Sequence, residues 1–241
     1  MEHPVLFLLL ALVAEILGTI GGFGSSLFFI PIASYFIDFQ SALGITALFH
    51  LSSNISKLSL FRTGIDKKLI YQIGIPSVLF VFLGAYLSKF VATDLLKNAL
   101  SIFLIALSVI LLLYENINWK INLKNNLIGG SIAGFLAGII GTGGAIRGLL
   151  LTSFKLPIQT FIATSALIDL LVDSSRTIVY GINGFIHIHD FYLLPWLFVT
   201  SFIGTWIGKL ILNRFDYKKF RTLVLLLILL TGLLELTMAL A

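Results

Sequence analysis

Two apolar stretches of the chain carry polar side chains at the same helical spacing. Steps of four, four and three residues connect the members of the first set, which are Thr46, His50, Asn54 and Lys57. The same steps connect the second set, which is Ser165, Asp169, Asp173 and Arg176. Such steps place each set on one face of a helix. A charged side chain at the centre of a membrane helix costs about 2.5–3.5 kcal/mol, so two matching polar faces indicate a function.

The residue types of these faces suggest anion binding and proton exchange. Lys57 and Arg176 could bind an anion, together with Asn54 and Ser165. Asp169 has no close partner in the sequence, and a buried carboxylate favours its neutral form. We therefore expect the groups that couple transport to protons to be His50, Asp169 and Asp173. Two structural readings stay open: Lys57 and Arg176 could reach the membrane interface from near their helix ends, and Asp173 could simply pair with Arg176.

Glycine clusters break two long apolar runs. Their members are Gly21, Gly22 and Gly24 in the first run and Gly141, Gly143 and Gly144 in the second. Non-helical backbone at membrane depth is tolerated only against protein or a water-filled cavity. The half-helices that follow would point their N-terminal N–H groups at an anion, with the hydroxyls of Ser25 and Ser26 beside them. The alternative is close helix packing, which the four-residue spacing of Gly130, Gly134 and Gly138 also predicts.

Two further charged residues lie in these broken runs. Arg147 follows the second glycine cluster, and its guanidinium could bind an oxyanion through two parallel hydrogen bonds. It could equally be the partner of Asp169 or Asp173. Glu15 lies in the first half-helix and is a further candidate for the same cavity.

The broken runs belong to an internal repeat. The glycine-rich motif of residues 18–24 returns at 138–144, which is 120 positions later. Gln40, Lys57 and Pro76 are matched 119 positions later, by Gln159, Arg176 and Pro195 respectively. Duplicated membrane units with buried charge at matching places are typical of secondary transporters.

Composition indicates a membrane protein. The chain has 241 residues, of which 58% are hydrophobic and 11% charged, whereas a soluble domain carries about 25% charge. We therefore predict an all-α polytopic membrane protein in a lipid bilayer. The net charge of +5 is assigned to loops that fix membrane orientation, so no nucleic-acid partner is expected. The chain has no cysteine, which excludes disulfides.

Eight apolar runs organise the chain, at 4–37, 41–61, 69–90, 95–114, 125–154, 158–180, 191–212 and 217–240. The two broken runs are 4–37 and 125–154. As a continuous helix, either would be roughly 45 Å long, which exceeds a hydrocarbon core of about 30 Å. We therefore predict that each forms a re-entrant hairpin.

The loop charges support this prediction. Without Lys57, Arg147 and Arg176, thirteen of the sixteen Lys and Arg residues remain. Re-entrant hairpins place eleven of these on one face and two on the other, which obeys the positive-inside rule. If each broken run crossed once, the division would be eight and five.

It follows that each repeat holds one hairpin and three transmembrane helices. Three is an odd number, so the two repeats are inverted, and both termini lie outside. Residues 1–114 form the first repeat, 115–124 a cytoplasmic linker and 125–241 the second repeat.

The sequence resembles the TauE/SafE sulfite exporter family. The resemblance rests on residues 18–31, Ala42 to Thr46, Arg62 to Asp66, Pro76 and Gly84, and on 138–144 with Ala163 to Ser165. It implies a carrier in a bacterial-type inner membrane for a small sulfur-containing or organic anion, such as sulfite, thiosulfate or sulfoacetate. The second copy departs from the first, with Thr142 opposite Gly22 and Leu27 opposite Arg147, so we expect an asymmetric site.

The sequence therefore predicts a secondary transporter, expected to be an exporter, that moves a small anion by alternating access. Protons are the expected coupling ion, and no other cofactor or metal is expected. Motifs of enzymes are absent: there is no His-Glu-x-x-His, no P-loop and no Gly-x-Ser-x-Gly. The alternatives are an uncoupled anion channel, an intramembrane enzyme and a membrane assembly factor.

Overall fold

A computed structural model describes residues 3–22, 24–61, 64–114, 120–212 and 217–240. The regular elements in these ranges are helical, which confirms the predicted all-α class. The helices of the first repeat are α1 (Pro4–Gly21), α2 (Ser26–Phe36), α3 (Phe39–Leu60), α4 (Lys67–Phe90) and α5 (Thr93–Leu113). Those of the second are α6 (Leu123–Ile139), α7 (Gly144–Thr152), α8 (Ile158–Asn183), α9 (Leu194–Leu212) and α10 (Tyr217–Leu240).

Both long apolar runs are interrupted at their glycines, as predicted. Helix α1 ends at Gly21 and α2 begins at Ser26, whereas α6 ends at Ile139 and α7 begins at Gly144. Gly22, Gly24 and Gly141 have φ angles of 70°, 85° and 79°. These positive values are costly for residues with a Cβ atom, so glycine is what allows the chain to turn here.

Each interrupted run folds back on itself as a helical hairpin. Phe7 near the start of α1 has its ring centroid 5.6 Å from that of Phe36 at the end of α2. In the second hairpin, a Cβ atom at Gly129 in α6 would meet the side chain of Leu150 in α7. The first helix of each pair therefore runs antiparallel to the second, and the glycine turn is the tip of the hairpin.

Helices α3 and α8 pack against each other in opposite directions. Near the start of α3, a Cβ atom at Gly44 would meet the carbonyl oxygen of Phe185, which follows α8. Beyond the end of α3, the backbone N–H of Asp66 donates to Thr164 Oγ1, near the start of α8, at 3.0 Å. Between these points, Asn54 Nδ2 donates to Asp173 Oδ2 at 2.7 Å. The two helices therefore cross at residues that are 119 positions apart in the sequence.

The remaining helices pack in matching pairs around this centre. Helix α4 packs on α6, α9 packs on α1, and α5 packs on α10. The predicted glycine seam is confirmed: Cβ atoms at Gly130, Gly134 and Gly138 would meet the backbone of α4. The contact of α1 with α9 uses glycines too, because Gly204 and Gly208 face Glu15 and Thr19. Small residues at such seams let helices approach closely.

Among the described residues, four helices are long and apolar enough to cross a membrane. They span Pro4–Gly21, Lys67–Phe90, Thr93–Leu113 and Phe191–Leu212. The two central helices have 22 and 26 residues, which is enough for a bilayer core of about 30 Å. Their polar faces lower their average hydropathy, so only their length matches that of a membrane span.

Candidate functional site

A small polar cavity lies where α3 crosses α8 and the tips of both hairpins arrive. Its volume is about 20 Å³, which is room for roughly one water molecule. Twelve of its fourteen lining residues belong to the sets singled out from the sequence: Gly24, Ser26, His50, Asn54, Lys57, Gly141, Gly143, Gly144, Arg147, Asp169, Asp173 and Arg176. Ala137 and Val172 complete the wall. The structure thus brings both polar faces and both glycine clusters to one place.

Arg176 and Asp173 form a buried ion pair on α8. Arg176 Nε lies 2.7 Å from Asp173 Oδ1, and Arg176 Nη1 donates to the carbonyl oxygen of Gly141 at 2.6 Å. The two residues are 1% and 2% exposed. The pairing with Asp173 is one of the alternatives that the sequence left open. The guanidinium faces the glycine turn of the second hairpin, so the possibility that Arg176 reaches the membrane interface is not realised.

Arg147 and Asp169 form a second ion pair, between α7 and α8. Ser165 lies beside both, 3.4 Å from Arg147 Nε and 3.4 Å from Asp169 Oδ2. The structure therefore realises the alternative in which Arg147 is the partner of Asp169. Asp169 has no close partner in the sequence, and the structure supplies one from a different helix. Both residues still line the cavity.

Lys57 forms the third pair, with Glu15. Its Nζ lies 3.0 Å from Glu15 Oε1 and donates to Ser53 Oγ at 2.7 Å. Lys57 therefore points inward instead of reaching the membrane interface. The side chain of Glu15 has no exposed surface. Four hydroxyl groups donate to it, from Thr19, Ser25, Ser53 and Thr205 at 3.2, 2.7, 2.6 and 3.0 Å respectively.

His50 joins the first and third pairs. Its Nε2 lies 3.1 Å from Ser25 Oγ, which in turn donates to Glu15. Its Nδ1 lies 3.4 Å from Arg176 Nη2 and 3.7 Å from Asp173 Oδ2. One imidazole ring therefore bridges a charge pair of the first repeat and a charge pair of the second.

The other residues predicted for the site lie around this centre. Ser26 donates to Thr142 Oγ1 at 3.1 Å. Gly22 and Ser165 line an adjoining cavity of about 40 Å³, which also touches Lys57 and Asp169. Gly21 is the last residue of α1, and Ser25 directs its hydroxyl to Glu15.

Thr19, Ser53 and Thr205 also belong to the site, but they were not predicted from the sequence. Thr19 lies one helical turn after Glu15, and Ser53 lies beside the polar face of α3. The helical spacing of both residues could therefore have indicated that they belong to the site. Thr205 is 190 residues from Glu15, and nothing in the sequence connects the two.

A family model described as sulfite exporter TauE/SafE matches residues 7–234. The chain belongs to the TauE/SafE sulfite exporter family. This confirms the resemblance seen in the sequence. Neither the curated proteins nor the solved structures compared with the chain gave a match. TauE/SafE is a family of membrane transporters, so this TauE/SafE protein is an integral membrane transporter and not an enzyme. Membership also indicates a small anion as the substrate.

The charge balance of this TauE/SafE site has a clear chemical consequence. Three cations, Lys57, Arg147 and Arg176, are each held by a carboxylate within or beside one small cavity. A buried charge is stable only when paired, and an entering oxyanion is the same kind of partner as a carboxylate. An anion can therefore exchange with a carboxylate at one of these cations. The N-termini of α2 and α7 add N–H groups at the same place.

Proposed function

We propose that this protein is a secondary transporter that moves a small oxyanion across the inner membrane by alternating access, with protons as the coupling ion. Sulfite, thiosulfate and sulfoacetate are the candidate substrates, and export is the proposed direction. The observation that carries the proposal is the convergence of three carboxylate-held cations on one cavity between the two repeats.

The anion would be held by Arg147, Arg176 and Lys57, with the tips of both hairpins above it. Guanidinium groups bind oxyanions through two parallel hydrogen bonds, and such charge-assisted bonds are about twice as strong as neutral ones. Ser26 and Asn54 supply neutral donors at the same wall. The cavity of about 20 Å³ is too small for an oxyanion together with water, so binding would widen it as a carboxylate withdraws.

The inverted repeat is supported by the central helix pair. Two copies related by a two-fold axis bring equivalent residues into contact where the axis passes. Asn54 and Asp173 are equivalent by the 119-residue offset, and they are hydrogen-bonded. Antiparallel packing of α3 with α8 gives the two repeats opposite directions. We therefore propose that residues 1–114 and 125–241 are inverted repeats joined by the 115–124 linker.

Access from one end of the bundle supports an alternating mechanism. The central cavity shares Gly24, Lys57 and Asp169 with the adjoining cavity. That cavity shares Gly22 and Phe161 with a third cavity of about 280 Å³, which reaches Lys155 between α7 and α8. In the proposed topology this end faces the cytoplasm. At the opposite end, Ile30 and Leu43 pack tightly against Gly141, which closes the outer side.

The proposed topology has a direct test. We place both termini and the 89–97 loop outside, and 62–68, 115–124 and 209–221 inside. Single cysteines at Asn98 and Asn118 of this cysteine-free chain should then react with a membrane-impermeant maleimide from opposite sides. Asn118 lies outside the described residues, so only labelling locates it. Reaction of both from the same side would exclude the inverted arrangement.

The transport proposal is tested with purified protein in liposomes. Labelled sulfite, thiosulfate, sulfoacetate and sulfate are supplied under an imposed pH gradient. We expect accumulation of at least one sulfur anion above its equilibrium level, and collapse of that accumulation by a protonophore. The candidate proton carriers at the cavity are His50, Asp169 and Asp173. Anion flux that only follows its own gradient and ignores the protonophore would instead identify a channel.

A further inference from the structure

Glu15 is the one carboxylate of the charge network that is sealed from the cavity. Its side chain has no exposed surface, whereas that of Asp169 is 22% exposed. Four hydroxyl donors and one ammonium group surround its two oxygens. A proton can therefore reach or leave Glu15 only through one of these hydrogen-bonded neighbours.

A chain of two residues connects Glu15 to the cavity wall. Ser25 Oγ donates to Glu15 Oε2 at 2.7 Å, and His50 Nε2 lies 3.1 Å from Ser25 Oγ. A serine hydroxyl has one hydrogen, and here it points to Glu15. The neutral imidazole must therefore carry its proton on Nε2. Its Nδ1 is then an acceptor for Arg176 Nη2 at 3.4 Å, at the wall of the cavity.

Building on the proposed transport function, we propose that Glu15 takes up the coupling proton, that His50 and Ser25 deliver it, and that its neutralisation releases Lys57 to the anion. The proton from the cavity binds His50 Nδ1. The Nε2 proton moves to Ser25 Oγ, and the Ser25 hydroxyl proton moves to Glu15 Oε2. Ser25 keeps one proton, His50 stays neutral as the other tautomer, and Glu15 becomes neutral. Release reverses these steps.

Charged groups on neighbouring helices surround both Glu15 and His50, so the proton transfer changes the interactions of these groups. Among the described residues, the charged or titratable groups that face Glu15 are Lys57 and His50 of α3. The hydroxyls of Ser25, the residue before α2, and of Thr205 on α9 also face it. The groups that face His50 from α8 are Asp173 and Arg176, with Asp169 further along the same helix.

Lys57 connects the proton to the anion. Its side chain lines the cavity, and its ammonium group is paired with the Glu15 carboxylate. A neutral Glu15 no longer holds the ammonium by charge, so protonation and anion binding favour each other. By linkage the coupling is reciprocal, so a bound anion also favours the protonated form of Glu15.

The test measures proton uptake on anion binding to the purified full-length protein. The probes are thiosulfate and sulfoacetate, whose charge is constant between about pH 6 and about pH 8, and sulfite after correction for its own proton. Wild type should take up about one proton per anion and bind at least tenfold more tightly at the lower pH. Glu15→Gln should take up none, and should bind at both pH values as wild type does at the lower one.

The Ser25→Ala variant tests the relay through His50 and Ser25 independently of the acceptor, Glu15. It should keep the equilibrium pH dependence of binding but slow proton-driven accumulation in liposomes at least tenfold. Ser108→Ala is the matched control, because Ser108 is equally buried and donates only to the carbonyl of Leu104 in its own helix. Its transport should equal that of wild type. An unchanged rate in Ser25→Ala would overturn the relay.

Full proton uptake by the Glu15→Gln variant would overturn the assignment of Glu15 as the proton acceptor. Transport by wild type is measured first, so a failure of the proposed function appears there and a failure of this inference appears only in the variants. If Glu15→Gln does not fold, infrared difference spectra can identify the carboxyl group that takes up the proton. Wild type should gain a protonated carboxyl band on anion binding, and Glu15→Asp should shift it. An unshifted band would assign the proton to another carboxyl group.

Discussion

The two repeats place a cation at the same position but hold it in different ways. In the first, Lys57 is paired with a glutamate of α1 and with the hydroxyl of Ser53. In the second, Arg176 is paired with Asp173 on its own helix and bound to the carbonyl of Gly141. An ammonium is a compact charge with rotatable donors, whereas a guanidinium is a rigid fork. The first repeat is therefore suited to releasing its cation, and the second to keeping it fixed.

The two equivalent helix seams, α4 with α6 and α1 with α9, also differ. Gly84 and Gly204 are 120 positions apart, as are Phe135 and Glu15. A Cβ atom at Gly84 would meet the backbone carbonyl of Phe135, whereas one at Gly204 would meet the side chain of Glu15. The seam of α1 with α9 thus admits a buried carboxylate, whereas the seam of α4 with α6 brings two backbones together.

The largest effect is expected at the fixed cation. Arg176→Gln leaves Asp173 buried without its charge partner, which costs about 3–5 kcal/mol in a buried pair. We expect anion binding to fall at least a hundredfold, together with a lower melting temperature in detergent. Arg176→Lys should remain impaired, because an ammonium lacks the planar fork with which the guanidinium contacts Asp173 and Gly141 from separate nitrogens. The double variant Asp173→Asn with Arg176→Gln should regain stability but not binding, and normal binding in any of these variants would contradict the assignment.

A smaller loss of stability is expected at Lys57, the cation of the first repeat. Lys57→Gln removes the charge partner of Glu15, but four hydroxyl donors remain. The cost should be close to that of losing one charge-assisted hydrogen bond, about 1.5–3 kcal/mol. Thermal unfolding of this variant beside Arg176→Gln measures the difference between repeats. An equal or greater loss of stability at Lys57 would reverse the comparison.

The two seam glycines should differ in the same assay. Gly84→Ala forces a methyl group against backbone, and overpacking of this kind costs about 1–3 kcal/mol. Gly204→Ala would meet Cβ and Cγ of Glu15 and, less closely, the backbone oxygen of Leu12, so we expect a smaller loss, near the lower end of this range at about 1 kcal/mol. Because Glu15 would have to shift, transport by Gly204→Ala should be more sensitive than its stability. Equal melting temperatures for the two variants would show that the seams are equivalent.

The mildest change in anion binding is expected at Asp169. Asp169→Asn removes the carboxylate that competes with an anion for Arg147, so binding should tighten about fivefold. Exchange of labelled for unlabelled anion should persist. Accumulation driven by a pH gradient should also persist if Glu15 carries the proton, and its loss in well-folded protein would place the coupling proton on Asp169 instead.

Most of the cavity wall could be predicted from local sequence signals. The polar faces of α3 and α8 follow from helical periodicity, and the hairpin tips follow from glycines that permit positive φ. The seam of Gly130 and its neighbours was also correct. The pairing could not be predicted: the sequence left Arg147 open between an anion, Asp169 and Asp173, and it did not identify the partners of Lys57.

Helix positions, hairpin breaks and the faces that carry charge were determined by the sequence itself, because periodicity and backbone freedom act over a few residues. Which carboxylate holds which cation was decided by tertiary structure. Glu15 collects hydroxyls from α1, α2, α3 and α9, including one 190 residues away. Such a set forms only when helices cross at a particular angle and register, and that depends on the packing of the whole bundle.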